Sequence, residues 1–390
     1  MTIATYIQGN AVVCGLGFGS DAVQAALFAP ELPELKNITL ADERIMPVCA
    51  VNLPATNLRR ADGLPETRNN QLAAAALALL PPAARSQIDE TPPRRLGVVI
   101  GTSTAGIDEG GVGFAARIRQ GQWDGAFDFS VQELGDPALF LAAKIGASGP
   151  AYSVSTACTS GAKALISAAH LIEQGLCDTV LCGGVDTLCD MTVNGFGVLE
   201  ALSSHRCTPF AADRSGIHIG EGAALFVLSA RPAAMRIAGW GESSDAHHIS
   251  APDPEGRGAI LAMQAALDMA GMNCDDVGYI NLHGTATPQN DQMEARAVST
   301  VFGNDTLCSS TKPFTGHTLG AAGAIEAAFL TMALQTKQAP ENLNSGDIDP
   351  TLPPLALVKG PQTFEARAGM SCNYAFGGNN TALILERVHD

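Results

Sequence analysis

The 390-residue chain holds ten cysteines but no Cys-x-x-Cys pair, which argues for reduced thiols over a zinc site or a disulfide framework. No uncharged apolar run reaches the roughly 18 residues a membrane-spanning helix needs; Ala73–Leu80 is far too short. The first residues lack the basic region and apolar core of a secretion signal, so a cytoplasmic location is expected. Positive charge is scarce: 23 Lys and Arg stand against 39 Asp and Glu, a net of −16. That balance disfavours nucleic acid as a general partner, and any acidic partner needs a local basic patch.

What is present describes a folded chain rich in turns. Hydrophobic residues make up 46%, charged residues 16%, and there are 41 glycines. The length suffices for one large core or two medium ones. Asn10–Leu16 reads as a strand entering Gly15-Leu16-Gly17-Phe18-Gly19. That spacing is wrong for a dinucleotide-binding GxGxxG, and no acidic residue follows at the expected distance, so a plain tight turn is expected. Residues 30–70 read as surface loops and carry the cluster Arg59, Arg60 and Arg68. Residues 107–145 lack a clear period and read as an insertion over a site or interface; Thr192–Gly197 reads as loop.

One stretch carries reactive potential. The β-prone run Ala151–Thr156 passes through small residues into a helical pattern, with Ala162, Leu165, Ile166, Ala169 and Ile172 at i, i+3, i+4 spacing and Gly175 as a stop. Cys158 falls at the strand-to-helix turn, at the positive end of the helix dipole, where a thiolate is stabilised and the thiol pKa is expected to fall. A buried structural cysteine is the competing reading of this stretch alone.

The second half repeats the first. Setting Cys158 on His317 also sets Gly161 on Gly320, Ala162 on Ala321, Ile166 on Ile325 and Ala168-Ala169 on Ala327-Ala328. A second echo pairs Gly101-Thr102-Ser103-Thr104 with Gly284-Thr285-Ala286-Thr287. Self-similarity in fixed order signals a duplicated unit, and alternating strands and helices make it an α/β unit. Equivalent turns of two pseudo-symmetric halves bring Cys158 and His317 towards one cleft.

Ser155-Thr156-Ala157-Cys158-Thr159-Ser160-Gly161, His283-Gly284-Thr285-Ala286-Thr287-Pro288, Lys312, His317, Glu326 and Phe376-Gly377-Gly378 follow one another along the chain. In that order they resemble a β-ketoacyl-[acyl-carrier-protein] synthase of the elongating, condensing class, over nearly the whole length. The resemblance implies an α/β duplicated thiolase fold of five layers, αβαβα, with residues 1–234 carrying the nucleophile and 235–390 the His/Lys/His set. It implies an acyltransferase that performs decarboxylative Claisen condensation of an acyl thioester with a malonyl carrier thioester. Cys158 would accept the acyl group, and the backbone N–H groups of Cys158 and Phe376 would form the oxyanion hole. His283 and His317 would stabilise the enolate. Lysine side chains are ordinarily charged at neutral pH, so Lys312 reads as an electrostatic partner of the histidines, with Glu326 offsetting its charge. Thr285, Thr287 and Ser250 would line the pantetheine tunnel, Phe196 and Phe376 would gate the acyl chain, and Thr104 would lie at the pocket floor. No metal and no cofactor are implied, since the phosphopantetheine arrives on the carrier.

Departures from the family's usual pattern include the short segment Leu228–Met235, a trimmed 35–90 region, Asn379 for a usual threonine and Tyr374 for a usual phenylalanine. They point away from housekeeping fatty-acid elongation towards type II polyketide ketosynthases, including those that build aryl polyenes; fatty-acid elongation is the alternative. A thiolase would use a second cysteine near the C-terminal glycine loop, where Cys372 lies, and an initiating synthase would have Cys–His–Asn. Lys312 with the two histidines disfavours both. A chain-length factor shares the fold but lacks the nucleophile, so Cys158 weighs against it. The implied partners are an acidic acyl carrier protein, docked by Arg59, Arg60 and Arg68 with Arg206 as a weaker candidate, and a second subunit, identical or related, paired through Ala151–Thr156.

Overall fold

The two copies of the sequence repeat fold as two copies of one sheet. In a computed structural model that describes residues 3–29, 31–54, 59–60, 62–123, 127–343, 347–360 and 362–388, ten strands carry the architecture. The first half has β1 Thr5–Cys14, β2 Leu96–Gly101, β3 Ala151–Val154, β4 Thr179–Asp186 and β5 Gly222–Ser229. The second has β6 Met235–Ser244, β7 Val277–Asn281, β8 Leu307–Ser309, β9 Ala368–Tyr374 and β10 Asn379–Arg387. Their order in the hydrogen-bonded ladder is β3-β2-β4-β5-β1-β6-β10-β9-β7-β8, so each half repeats the other outward from the β1–β6 seam. Pairing directions repeat as well. β2 is parallel to β3 and β4, and β5 is antiparallel to β4 and β1; β7, β8, β9, β10 and β6 follow the same rule.

The period of two along each strand sorts side chains into layers. On β5, Ala224, Phe226 and Leu228 face a central core, while Ala223, Leu225 and Val227 face an outer one under helices Arg68–Ala78, Pro82–Glu90 and Asp136–Ile145. On β10, Leu383 and Leu385 face the same central core, and Ala382 and Ile384 pack under helices Arg257–Ala270 and Pro288–Phe302. Helices Ser160–Glu173 and Ala322–Thr336 fill the space between the two half-sheets. The result is five layers, αβαβα. Buried on every side, the segment Leu319–Thr336 has the length and mean hydropathy, 1.2, of a membrane span, but 89% of it lies inside the protein.

Small residues let the two central helices meet at their N-termini. A Cβ on Gly161 would stand 2.6 Å from Ala324 N, and one on Gly320 would stand 2.7 Å from Asp186 Oδ2. These close approaches bring the turns that precede the helices, and with them Cys158 and His317, to one place. The residues just before the pair are left-handed in both copies: Ala157 at φ 51° and Gly316 at φ 68°. The second echo is real but out of step. The left-handed residues Ala105 and Ala286 stand equally far from the first residues of β2 and β7, so the fold pairs Ala105 with Ala286, where the sequence match paired Ser103 with it.

Three expectations about loops are corrected. Residues 107–145 contain helices Ile107–Gln120 and Asp136–Ile145, the first disguised by Gly110, Gly111 and Gly113, which break its apolar period. Thr192–Gly197 lies in helix Asp190–Val198. The 30–70 region contributes strands Lys36–Thr39 and Ile45–Cys49, which form a small sheet with Ile219–Gly220. The central layer is expected to govern stability. Truncating the fully buried Phe329 to Ala should cost about 3–5 kcal/mol, read as a lower urea midpoint with unchanged slope.

Candidate active site

Cys158 sits in a turn that its own small polar neighbours build. The Ser160 hydroxyl accepts from Thr156 N (2.9 Å) and donates to Ala157 O (2.6 Å), and Thr159 Oγ1 donates to Thr156 O at 2.8 Å. These bonds hold Ala157 left-handed, a strained state for a residue with a Cβ. Helix Ser160–Glu173 begins two residues beyond the thiol.

His317 reaches the same point from the other half, with Nε2 3.0 Å from Cys158 Sγ. Its backbone is fixed by His317 N donating to His218 O (2.8 Å) and Gly220 N donating to His317 O (3.0 Å). His283 follows β7, its ring edge-to-face with that of His317 at 5.3 Å. Behind it Lys312 Nζ lies 3.3 Å from His283 Nδ1 and 2.5 Å from Glu326 Oε1. An ammonium has only donors, so Nδ1 of His283 accepts and the ring proton sits on Nε2. Asn373 Nδ2 donates to the other oxygen of Glu326. Lys312 and Glu326 are 1% and 3% exposed, so this is a buried ion pair whose partners depend on each other.

Burial dominates the protonation of the site. It pushes the Cys158 thiol up to about 12, against the pull of Lys312 and with the added push of Glu326 and Asp186. Burial (the thiol is 7% exposed) and two nearby carboxylates work against the lowering expected from the helix N-terminus. Burial, then the Lys312 charge, holds His283 and His317 well below the usual histidine range, so both rings are neutral at pH 7.

One cavity opens on this group. It is lined by Cys158, His283 and His317 together with Ser250, Thr285, Thr287, Phe196 and Phe376. The Phe196 and Phe376 rings face each other at 5.6 Å, and the Thr285 and Thr287 hydroxyls are 2.8 Å apart. The loop that carries Phe376 is closed by Gly377 N donating to Ile249 O and Gly378 N to Ala375 O, bonds that do not use the Phe376 N–H. Thr104 is not on this cavity. It is fully buried and donates to Asp186 Oδ1 at 2.7 Å, so its hydroxyl is committed to that carboxylate.

The proposed docking arginines also divide. Arg60 pairs with Asp62 and Asp136, and Arg68 pairs with Glu221 while donating to the carbonyls of Leu53 and Val51. Both are structural cations with their charge spent inside the protein. Arg206 is half-buried and donates to the carbonyls of Pro33 and Pro313. Arg59 alone of the four is exposed.

Sequence reasoning missed the carboxylates that hold the loops. Glu294 accepts from His283 N and Gly284 N, each at 2.7 Å, and Asp291 accepts from Phe210 N and Ala286 N. Burial pushes the Glu294 carboxyl up, against the amide donors that favour its charged form. Their i, i+3 spacing at the start of helix Pro288–Phe302, just after the histidine loop, is the signal that could reveal them.

Comparison with known proteins bears on the chain as a whole. The family model of the β-ketoacyl synthase N-terminal domain matches residues 72–234, and that of the C-terminal domain matches 234–346. The chain is 31% identical over 372 residues to 3-oxoacyl-[acyl-carrier-protein] synthase 2 of Staphylococcus aureus, covering 91% of this chain and 86% of that one. Among solved structures it resembles a ketosynthase (ApeO) in complex with its chain length factor (ApeC) from Xenorhabdus doucetiae, with 42% identity and a TM-score of 0.92 over 99% of this chain and 98% of that one. It also resembles the ishigamide ketosynthase/chain length factor, with 27% identity and a TM-score of 0.89 over the full length of both.

A protonated thiol is a poor nucleophile without a base. Iodoacetamide should therefore alkylate Cys158 slowly at pH 7, with a rate that rises about tenfold per pH unit up to pH 9 as the thiolate fraction grows. A rate already at its plateau at pH 7 would show a low-pKa thiolate instead.

Proposed function

Because the chain belongs to the β-ketoacyl synthase family, we propose that it is the catalytic subunit of a type II polyketide-like elongation system, extending an unsaturated chain of the aryl polyene kind. It is an acyltransferase of the condensing class. The observation that carries the assignment is the meeting of Cys158 Sγ, His317 Nε2 and the Lys312-backed His283 at the base of one tunnel.

In the first half-reaction Cys158 Sγ attacks the thioester carbonyl of an acyl carrier protein. Its proton passes to the His317 imidazole and leaves on the departing pantetheine thiolate, so the acyl group changes sulfur with no net change of charge. The Cys158 and Phe376 N–H groups receive the tetrahedral oxyanion. In the second half-reaction the malonyl thioester oxygen lies against the Nε2–H of His283 and, once the acylated Cys158 no longer donates to His317 and that ring's proton has moved from Nδ1 to Nε2, against His317 as well. Cleavage of the bond to the carboxylate releases CO2, its electron pair becomes the enolate, and the enolate carbon attacks the acyl group on Cys158, which departs as thiolate and takes up a proton from water to restore the resting thiol. Neutral imidazoles suit this step, because each gives an N–H without offering a proton acidic enough to quench the enolate. Glu326 and Asn373 keep Lys312 in place behind His283. Thr285, Thr287 and Ser250 line the pantetheine arm, and Phe196 and Phe376 gate the acyl chain. This chemistry asks for no metal or cofactor. The three ligand-capable atoms of Cys158, His283 and His317 lie within 4.8 Å of one another, yet the Lys312 ammonium keeps the proton on His283 Nε2 and so opposes a cation there.

The pathway reading rests on likeness to the Xenorhabdus ketosynthase, with Cys158 present where a chain-length factor lacks it. A related partner subunit fits the surface. β3 is the open edge of its half-sheet, and helix Ile107–Gln120 exposes Val112, Phe114 and Ile118. A cytoplasmic setting fits a chain whose ten cysteines are all free. Arg59 remains a candidate contact for the acidic carrier.

Cys158→Ala should abolish acyl loading and retain malonyl decarboxylation, whereas His283→Ala should lower decarboxylation by about 10²–10³-fold. Full decarboxylation by His283→Ala would remove the enolate role. Native mass spectrometry after co-expression with a Cys-less relative from the same gene neighbourhood should show a one-to-one heterodimer. A stable homodimer that elongates saturated acyl carriers would return the chain to fatty-acid elongation.

A further inference from the structure

The carboxylate of Asp186 takes no part in the chemistry above, yet it is the most heavily bonded acid near the nucleophile. It ends β4 and is fully buried. Its Oδ1 accepts from Thr102 Oγ1 (2.8 Å), Ser103 N (2.8 Å), Thr104 N (2.9 Å) and Thr104 Oγ1 (2.7 Å). Its Oδ2 accepts from Ser103 Oγ and from Gly320 N at 2.6 Å. None of these six donors belongs to a cation. Burial pushes the Asp186 carboxyl up, and the neutral donors of Ser103, Thr104 and Thr102 pull it back by favouring its charged form.

The segments it gathers are those that frame the reaction. Gly320 lies three residues after His317, at the entrance to the second central helix. The loop 102–104 follows β2, whose last residue, Gly101, would bring a Cβ within 2.5 Å of Gly161 N in the nucleophile helix. A Cβ at Gly320 would collide with both sides of the clamp, at 2.7 Å from Asp186 Oδ2 and 2.9 Å from Ser103 N. Only glycine lets the His317 turn reach the carboxylate.

We infer that Asp186 is a positioning residue: its carboxylate ties the His317 turn, through Gly320 N, to the 102–104 loop, which packs against the nucleophile helix at Gly161. The inference rests on Cys158 and His317 being the acyl-transfer pair. The titratable and charged groups facing the thiol are His317 and His283, the Lys312–Glu326 pair and Asp186. Removing Asp186's charge leaves Lys312 less opposed, so the thiol ionises more readily even as the pair loses its geometry. Misplacement by about 1 Å costs on the order of 10²-fold in rate, and loss of a neighbouring like charge lowers a pKa by about one unit or more.

Asp186→Asn should therefore split two readouts that usually move together. Alkylation of Cys158 at pH 8 should rise about tenfold, the equivalent of about one pKa unit. The kcat of acyl transfer should fall about 10²-fold with the carrier KM unchanged. Gly320→Ala keeps the charge but pushes the turn away, so it should lose kcat to a similar extent with no gain in alkylation. A folded D186N with wild-type kcat and alkylation overturns the proposal, as does G320A with a full transfer rate. Equal gains in alkylation by both variants would assign the effect to water entry and overturn the part given to the charge of Asp186. If D186N does not fold, G320A decides by its kcat. Alkylation is read without acyl or carrier substrate, so its outcome stands apart from the loading assay of Cys158→Ala that tests the ketosynthase reading.

Discussion

The buried pair of Lys312 and Glu326 is the constraint on which the rest of the site depends. Two charges at 2.5 Å with almost no exposure are expensive to desolvate, and such a pair is weak evidence for stability in itself. Its consequence here is protonic. Lys312 can only donate, so it fixes the tautomer of His283 and turns an ambiguous imidazole into a directed Nε2–H donor. The same positive charge helps hold both histidines neutral and pulls the thiol pKa down against burial. Removing it would change three groups at once.

Duplication explains how groups so distant in sequence become neighbours. Each half supplies one strand-to-helix turn and one loop after a parallel strand, and the glycine-rich meeting of the two central helices superposes them. The halves have then diverged in chemistry. One turn carries the thiol and its counterpart carries His317, while the two loops are each clamped by a carboxylate: Asp186 on 102–104 and Glu294 on 283–284. Left-handed Ala157, Ala105 and Ala286 mark where the backbone bends sharply to present these groups.

Much of this was legible in the sequence. Repeated Gly, Ala and Ile positions announced the duplication, and the order of Cys158, His283, Lys312, His317 and Glu326 announced the site. What was hidden was hidden for physical reasons. Gly110, Gly111 and Gly113 masked a helix by removing its apolar stripe. The identity of Arg60 and Arg68 as internal cations depends on Asp136 and Glu221, residues 76 and 153 positions away, which no local pattern reveals. Thr104 has the composition of a pocket residue, but it spends its hydroxyl on Asp186. A helix terminus beside the thiol is visible in sequence, whereas the burial and the two nearby carboxylates that push its pKa up are not.

The most direct test of the account is the protonation state of His283 itself. Histidine-selective 15N NMR of the free enzyme, assigned with His283→Gln, should show a neutral ring with the proton on Nε2 and a bare, hydrogen-bonded Nδ1, unchanged from pH 5.5 to 8.5. A ring that titrates near the ordinary histidine value of about 6.5, or that carries its proton on Nδ1, would contradict the role assigned to Lys312 and the donor set built on it.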